Sequence, residues 1–506
     1  TLLARLIRQL RDVGVEQVIV LTRPRWADAF AQTADVAVEG YASVSAMLDR
    51  LAQLARTTSD DLLIADADLL TNDAVAADLV LDGRVRTGVL SSSAPPSSLG
   101  SPPLRVAEGR VAASGSAYHG CDRANARLLG MCKIGRADLG SVADVLDELA
   151  KLAADPPAEW SAELERKRAA LATEAATRSV PGWAERSIAA LRDDPLPLVV
   201  VGLVRRDVPV TPVPIRALYW GRPGTARAAV TAFEELRRID EDAVLLDAAV
   251  KDVDGFFTTF LVSPYSRYIA RWAARRGLTP NQITVASMGL GLLAAAAFAV
   301  GSRLWLIAGA ILLQLAFIAD CVDGQLARYT RQFSNFGAWL DSTLDRGKEY
   351  IVYAGLAVGA THPPAAAGIW FMATAALTLQ TFRHYADFSH GAQRREMHHR
   401  PIRHRLEEPG ESSVGTQGTE AVAVERVSAT RTGAGRTALD ALVLFGRRPW
   451  VTWAKRIVVL PIGERFALIS VTAAVWDARV TFAALLLWGT LAAAYATAIR
   501  VLRSNP

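Results

Sequence analysis

Acidic and small side chains recur at helical spacing in a strongly apolar part of this 506-residue chain. They form two groups: Asp320, Asp323, Gly324, Ala327 and Arg328, followed by Gly337, Asp341 and Asp345. On a helix, positions 320, 323 and 327 share one face, and positions 337, 341 and 345 form a second stripe. Two helices packed along these stripes would gather the four carboxylates around one cavity.

Burying these carboxylates in a membrane has an energetic cost that another charge must offset. Each costs about 2.5–3.5 kcal/mol on insertion scales, so four cost on the order of 10 kcal/mol. One or two Mg²⁺ or Mn²⁺ ions are the simplest compensation, because hard carboxylate oxygens suit these cations. Mg²⁺ commonly bridges to phosphate oxygens, which indicates a phosphate-bearing substrate. In the alternative interpretation, the aspartates reach the membrane surface and pair with Arg328, Arg331 and Arg346.

The neighbouring residues suit the same chemistry. The small residues let a flat base or a phosphate approach the helix backbone, and Arg328 can hold a phosphate through its planar fork. A positioned carboxylate can take the proton from an attacking hydroxyl. The pattern D-x-x-D-G-x-x-A-R-x(8)-G-x-x-x-D-x-x-x-D, read from Asp320 to Asp345, resembles the signature of the CDP-alcohol phosphotransferase family at every specified position.

The resemblance implies a six-helix membrane enzyme that displaces CMP from a CDP-alcohol with the hydroxyl of a second alcohol. It makes Asp320, Asp323 and Asp341 metal ligands, while Asp345 completes the metal site and serves as the general base. It places the CDP site along Gly324, Ala327, Arg328 and Gly337. Members of this family are often homodimers, so the resemblance also suggests a homodimer.

Two further sets of residues are candidates for substrate binding. Residues 278–284 resemble the membrane entry of the inositol-phosphate branch of the family, which would put Asn281 and Thr284 near the nucleotide. A helix cap and turn is the alternative for these two residues. Arg383 and Arg465 are candidates for binding a phosphate on the acceptor, and arginines that face lipid headgroups are the alternative. For the histidines at 384, 390, 398, 399 and 404, a basic interfacial loop is favoured over a metal site.

The composition indicates a membrane protein. The chain is 51% hydrophobic with a mean hydropathy of +0.19, which excludes a mostly disordered protein. We predict six spans, at 283–300, 304–326, 338–358, 365–383, 466–484 and 485–499. An amphipathic helix at 263–276 would lie on the membrane surface, and a flexible cytoplasmic loop would cover about 407–436. The net charge of +5 comes mainly from arginines beside the spans, so a membrane surface is favoured over nucleic acid as the partner.

The arginines also predict orientation and domain layout. They crowd one side of the predicted spans, which by the positive-inside rule puts the active site, both termini and the N-terminal domain on the cytoplasmic side of the inner membrane. The predicted domains are residues 1–250, a linker with the interfacial helix at 251–282, and a membrane domain at 283–506. No secretory signal is recognised, and a chain that starts with Thr1 is expected to lack its native start.

Residues 1–250 show the rhythm of an α/β domain. Helices are predicted at 1–13, 43–56, 141–153, 159–177 and 225–239, and strands at 17–21, 62–65, 104–107, 110–113, 129–134 and 198–204. The order of elements resembles a doubly wound nucleotidyltransferase, in which Asp66 and Asp68 stand where a metal-binding acid would be. A polar strand end is the alternative. Whether this domain makes the CDP-alcohol, binds it or serves as a scaffold stays open.

Several functional hypotheses compete at this point. The donor and acceptor are CDP-diacylglycerol with inositol phosphate or another polar alcohol, or a soluble CDP-alcohol such as CDP-inositol with an inositol-phosphate acceptor. The fused domain modestly favours the second pair. A transporter or proton-relay protein also places acids in mid-membrane, although its repeated halves and broken helices are not recognised here. A nonenzymatic membrane anchor would not need all four aspartates.

Overall fold

The protein is described here from a computed structural model. The structure describes residues 1–31, 36–93, 101–177, 194–251, 254–361, 368–399 and 449–504. These residues divide into two compact units, with the boundary between Val244 and Leu245. The predicted loop at about 407–436 and His404 lie outside the described residues.

The N-terminal unit is built on a mixed six-stranded sheet. Its strands are β3 (Leu62–Ala65), β5 (Gly88–Ser92), β6 (Pro103–Ala107), β7 (Arg110–Ser114), β8 (Ala126–Ile134) and β9 (Thr211–Pro214). The order is β7-β6-β8-β5-β9, with β3 also beside β8. Within this sheet only β5 and β9 pair in parallel. The α/β class is confirmed, whereas the doubly wound arrangement is not what these strand directions show.

Two smaller strand pairs accompany the main sheet. β1 (Ile19–Thr22) and β2 (Ala37–Gly40) are parallel, and β4 (Leu70–Thr71) pairs antiparallel with β10 (Trp220–Gly221). The predicted hairpin of β6 and β7 is confirmed. Its turn holds both Glu108 and Gly109 at positive φ, 51° and 75°, a backbone twist that suits a two-residue hairpin.

Helices cover the sheet and supply most of the buried apolar side chains. They are α1 (Leu2–Asp12), α2 (Pro24–Ala31), α3 (Val44–Thr57), α4 (Asp73–Val80), α5 (Leu139–Ala154), α6 (Ala158–Thr177), α7 (Leu196–Arg205) and α8 (Ala226–Arg238). The next helix, α9 (Glu241–Ala249), includes the boundary between Val244 and Leu245. The helices predicted at 1–13, 43–56, 141–153, 159–177 and 225–239 are confirmed. α5 packs against α3 and α7 in the main core.

The strand predicted at 198–204 is wrong, because these residues form most of α7. Their side chains are buried on nearly every side, and a short apolar run buried all round has no period that separates strand from helix. Pro197 lies in the first turn of the helix, where a missing N–H costs no hydrogen bond. Gly202 lets α7 approach Val145 of α5, since a Cβ at this glycine would lie 2.1 Å from Val145 Cγ1.

The C-terminal unit is helical. After one π-helical turn at Thr258–Val262 come α10 (Ser263–Arg275), α11 (Pro280–Val300), α12 (Arg303–Thr330), α13 (Asn335–Gly359), α14 (Ile369–His399), α15 (Pro449–Val458), α16 (Ile462–Val475) and α17 (Ala478–Ser504). α11 packs against both α12 and α13, and α16 packs against α12 and α17. The helix predicted at 263–276 is α10, with Tyr268 and Trp272 more than half exposed.

Within the part of the chain that the structure describes, three helices are long and apolar enough to cross a membrane: Pro280–Val300, Arg303–Thr330 and Ala478–Val501. The count of six spans therefore stays a prediction. α13 carries Asp341, Asp345 and Lys348 along its length, and α16 has only 14 residues, about 21 Å of helix against about 30 Å of hydrocarbon. The predicted boundary between residues 484 and 485 is wrong, because α16 ends at Val475 and α17 begins at Ala478.

Candidate active site

Three of the four predicted aspartates converge. Asp320 on α12 and Asp341 and Asp345 on α13 each offer a carboxylate oxygen, and these oxygens lie within 4.8 Å of one another. All three side chains are partly exposed. Each aspartate supplies hard oxygen, the donor type that Mg²⁺ and Mn²⁺ prefer. The arrangement therefore fits a divalent cation, with waters or phosphate oxygens as its remaining ligands.

Asp323 lies outside this group of three. It is 4% exposed, and its Oδ2 accepts a hydrogen bond of 2.6 Å from Thr284 Oγ1 on α11. Ser287, one turn further along α11, donates to Ala316 O at 2.8 Å and lies 3.5 Å from Asp320 Oδ1. α11 thus supplies hydroxyls to the acidic face of α12. The predicted roles of Asp323 as a metal ligand and of Thr284 near the nucleotide stay predictions.

The small residues allow close approach between the helices and the guanidinium. A Cβ at Gly337 would lie 2.8 Å from Asn281 Oδ1, so this glycine makes room for the start of α11. A Cβ at Gly324 would lie 3.4 Å from Arg328 Nη1, so the guanidinium lies along this glycine. Arg328 Nε also donates to Ala249 O, and Ala327 is half-buried. Their predicted contacts with a CDP group stay predictions.

Lys348 is a site residue that the sequence analysis missed. Its side chain is 1% exposed, and its Nζ donates to Asp320 Oδ1 at 2.6 Å and to Asp345 Oδ1 at 3.2 Å. Position 348 lies three residues after 345 and therefore on the same face of α13, and this spacing was the available signal. In the alternative interpretation the aspartates would pair with arginines at the membrane surface; Asp320 and Asp345 instead pair with this buried lysine.

A cavity of about 380 Å³ adjoins Asp345. Its lining includes Ser342, Asp345, Arg346, Glu349, His384, Asp387, Phe388, Ile462 and Arg465. Arg346 has no hydrogen bond or ion pair with any residue that the structure describes, so its guanidinium is the cation at the cavity with donors to spare. A polar molecule that entered this cavity would contact both the carboxylate of Asp345 and the guanidinium of Arg346.

Arg465 lines the same cavity but is held by a buried carboxylate. Its Nε and Nη2 donate to the two oxygens of Glu349 at 2.9 and 3.1 Å, and Nη1 donates to Leu460 O at 3.0 Å. Tyr353 OH also donates to Glu349 Oε1, at 2.7 Å. Glu349 is fully buried and Arg465 is 6% exposed. Glu349 and Tyr353 were not singled out from the sequence.

Arg383 does not line this cavity. It donates to Val459 O at 2.6 Å and to Gln380 Oε1 at 3.2 Å, which ties α14 to the segment before α16. His384 lies 3.8 Å from Glu349 Oε2. His390, His398 and His399 belong to α14, but their side chains lie outside what the structure describes.

The N-terminal unit has an acidic cluster of its own, here called the Arg222 cluster. Arg222 Nη1 lies 2.8 Å from Asp66 Oδ2 and 3.2 Å from Asp194 Oδ2, and its Nε donates to Asp68 Oδ1 at 2.8 Å. Burial, together with the charge of Asp194, raises the pKa of Asp66 well above its usual value, and burial raises the pKa of Asp194. A guanidinium thus lies where a metal between these acids would have to bind.

The match to a protein family concerns the region around the aspartates. Residues 277–397 match the model of the CDP-alcohol phosphatidyltransferase family. The resemblance seen in the aspartate signature is confirmed. This region contains the four aspartates, Lys348 and the cavity residues on α13 and α14.

Curated relatives match the chain over stretches of 91 to 105 residues. An archaetidylinositol phosphate synthase of Pyrococcus horikoshii is 41% identical over 91 residues, 18% of this chain and 47% of the relative. A bifunctional IPC transferase and DIPP synthase of Rubrobacter xylanophilus is 44% identical over 105 residues, 21% of this chain and 23% of the relative. A phosphatidylinositol phosphate synthase of Mycolicibacterium smegmatis is 38% identical over 92 residues, 18% and 40% of the two chains. The chain spans less than half the length of each of these relatives.

Among solved structures, the inositol-1-phosphate CTP transferase from T. maritima matches 47% of this chain and 83% of its own, with 10% identity and a TM-score of 0.31. A likeness of this size does not assign the fold of the N-terminal unit. The nucleotidyltransferase resemblance of that unit therefore stays a prediction.

Proposed function

We propose that the C-terminal unit transfers the phosphoalcohol part of a CDP-alcohol to the hydroxyl of a second alcohol and releases CMP. The observation that carries the proposal is the convergence of Asp320, Asp341 and Asp345 beside a cavity of about 380 Å³. The match of this region to the CDP-alcohol phosphatidyltransferase family supports the same reaction. Neither a transporter nor a nonenzymatic anchor accounts for both features.

In the proposed reaction, Asp345 is the general base. It belongs to the acidic group and also lines the cavity, so a hydroxyl in the cavity can donate its proton to this carboxylate. The freed oxygen then attacks the phosphorus next to the alcohol, and the bond to CMP breaks. When bound at the acidic group, Mg²⁺ or Mn²⁺ would polarise the pyrophosphate and stabilise the leaving CMP. Arg328 and the small residues beside it are proposed to hold the CDP group.

Two arginines at the cavity suit an acceptor that carries a phosphate. Arg346 offers a guanidinium with no partner among the described residues, and planar guanidinium groups bind phosphate through paired hydrogen bonds. Arg465 contributes its charge from a position fixed by Glu349. We therefore propose inositol phosphate, or a polar alcohol with similar charge, as the acceptor. Arg383, which does not line the cavity, is less well placed for this role than the sequence suggested.

The donor is proposed to be CDP-diacylglycerol or a soluble CDP-alcohol such as CDP-inositol. The names of relatives include archaetidylinositol phosphate and phosphatidylinositol phosphate synthases, which favours a lipid donor. The relative from Rubrobacter xylanophilus has both a transferase and a synthase in its name, which is compatible with the other pair, CDP-inositol with an inositol-phosphate acceptor. We propose an inner-membrane location with the active site in the cytoplasm, because arginines crowd one side of the predicted spans.

The test measures CMP release by the purified full chain in mixed micelles with Mg²⁺. Inositol phosphate is offered with CDP-diacylglycerol in one assay and with CDP-inositol in another, and the product is identified by mass spectrometry. We expect CMP release with one of the two donors. Asp345→Asn should lower that rate by at least about 10²-fold, because a positioned base contributes 10²–10⁴-fold.

Asp477→Asn is the matched control. Asp477 caps α17, because its Oδ1 accepts a 3.0 Å hydrogen bond from Val480 N, and asparagine is an equally good cap. This variant loses one carboxylate in the same unit and should keep wild-type turnover. Wild-type turnover in Asp345→Asn, in a protein that elutes and melts as the parent does, would overturn the proposal.

A further inference from the structure

We propose that Asp387 binds a hydroxyl of the acceptor other than the one that reacts, and that it thereby selects a phosphorylated polyol. This inference deepens the proposed function, on which it rests. Its observation is that Asp387, on α14, lines the same cavity as Asp345 and Arg346, on α13. Asp387 was not singled out from the sequence. It lies three positions after His384, on the same face of α14.

Other hydrogen-bond acceptors on the cavity wall are already engaged. The two oxygens of Glu349 accept hydrogen bonds from Arg465. The two ring nitrogens of His384 lie 2.8 Å from Gln380 Nε2 and 3.4 Å from a tyrosine hydroxyl on α13. Asp387 Oδ2 has no hydrogen-bond or ion-pair partner among the described residues. Because an ionised carboxylate only accepts hydrogen bonds, this oxygen suits the O–H group of a polyol.

The charge of Asp387 is compensated by an arginine. Arg500 Nη2 donates to Asp387 Oδ1, a contact that joins α17 to α14. Because this guanidinium already offsets the carboxylate, a neutral hydroxyl fits beside Asp387 better than an ammonium group, which the guanidinium would repel. The pair therefore favours a polyol over an amino alcohol as the acceptor.

The charges of the cavity also orient the acceptor. Its phosphate is attracted to Arg346 and repelled by the carboxylates of Asp345 and Asp387. Phe388 and Ile462 line the same cavity and offer apolar surface to the C–H groups of a ring. The hydroxyl groups thus face two carboxylates on two different helices. Asp345 takes the proton of the reacting hydroxyl, and Asp387 holds a second hydroxyl.

The experiment measures ligand binding to the purified full chain in detergent, without a CDP-alcohol, by isothermal titration calorimetry. The ligands are inositol 1-phosphate and cyclohexyl phosphate, which has a similar ring and one phosphate but no free hydroxyl. The ratio of their dissociation constants therefore reports what the hydroxyls contribute. We expect wild type to prefer inositol 1-phosphate and Asp387→Ala to lower that preference by about 10-fold, because a hydrogen bond to a charged group contributes about this much.

Asp247→Ala is the matched control. Asp247 is also an exposed carboxylate paired with an arginine, Arg267, but it is not among the described residues that line the cavity. This variant should keep the wild-type preference. A wild-type preference in Asp387→Ala, in a protein that elutes and melts as the parent does, overturns the proposal. Tighter binding of phosphoethanolamine than of inositol 1-phosphate to wild type overturns it as well.

Arg500→Gln tests the paired arginine. This variant leaves the charge of Asp387 uncompensated, so inositol 1-phosphate and cyclohexyl phosphate should both bind several-fold more weakly at low salt. Arg500→Lys keeps the charge and should restore both affinities. Unchanged binding of both ligands to a folded Arg500→Gln protein contradicts the role given to Arg500.

The two proposals fail separately, because the binding preference needs no turnover. If wild type does not prefer inositol 1-phosphate to cyclohexyl phosphate, the role of Asp387 is overturned, whereas CMP release with another alcohol would still support the transfer. Conversely, a preference that depends on Asp387, together with no CMP release from either donor, would support the polyol site and overturn the proposed reaction.

Discussion

The buried pair of Glu349 and Arg465 gives the sharpest stability prediction. Glu349 is fully buried, and its two oxygens accept hydrogen bonds from Arg465 at 2.9 and 3.1 Å and from Tyr353 at 2.7 Å. Glu349→Ala leaves the Arg465 guanidinium, 6% exposed, without its counter-charge. Removing one partner of such a pair costs about 3–5 kcal/mol. For a unit of this size, that loss lowers the melting temperature by roughly 6–20 °C.

The assay follows thermal unfolding of the full chain in one detergent, by the loss of the monodisperse peak after heating. The double variant Glu349→Ala, Arg465→Met leaves no buried charge alone, so its loss should be smaller than that of Glu349→Ala combined with that of Arg465→Met. Asp477→Asn serves again as the control and should melt as the parent does. If Glu349→Ala melts within about 2 °C of wild type, or if the losses simply add, the pair does not hold the cavity wall.

Two further predictions concern packing and pH. A Cβ at Gly355 would lie 2.3 Å from Ala295 O, a backbone atom that cannot move alone, so Gly355→Ala should lower the melting temperature by several degrees, whereas Gly289→Ala, with open space around it, should not. In the N-terminal unit, burial and then the charges of Arg205 and Lys167 lower the pKa of His119 from 6.5 to about 4. Because the folded pKa is the lower one, this histidine's contribution to stability is complete above pH 6.5 and falls as the pH drops towards 4. Melting curves at pH 7.5 and 5 should therefore differ more for wild type than for His119→Gln, and equal differences would contradict the assignment.

Spacing along a helix predicted much of the site. Residues three and four positions apart share a helix face, so this rule places Asp341 and Asp345 on one face of α13. With the added assumption that α12 and α13 pack along their acidic faces, it predicts that Asp320 joins them, and the oxygens of these three residues do lie within 4.8 Å of one another. The rule did not separate Asp323 from them, because the contact with Thr284 depends on the angle at which α11 crosses α12. Crossing angles come from packing between helices and are not encoded in the spacing within one helix.

The missed lysine has a similar explanation. A lysine on an apolar helix is expected to extend its ammonium towards the membrane surface, and a sequence alone offers no reason to bury it. Lys348 stays buried because Gly291, 57 positions earlier in the chain, leaves a slot for its stem, and because Asp320 lies on a third helix. Residues 198–204 show the same limit in the N-terminal unit, where burial on all sides removed the period that distinguishes a helix from a strand.

The two acidic clusters differ in what their basic residue leaves available. In the Arg222 cluster, one guanidinium engages Asp66, Asp68 and Asp194 together, and its several donors occupy the space among the acids. Lys348 is a point charge that contacts two carboxylates, and it leaves Asp341 and the second oxygens of its partners for other ligands. Among the described residues, the second arrangement adjoins a cavity of about 380 Å³, which is large enough for a polar alcohol. The Arg222 guanidinium occupies the space among its three acids, whereas the Lys348 ammonium leaves carboxylate oxygens available for other ligands. This difference supports the proposal that the transfer takes place beside Asp345.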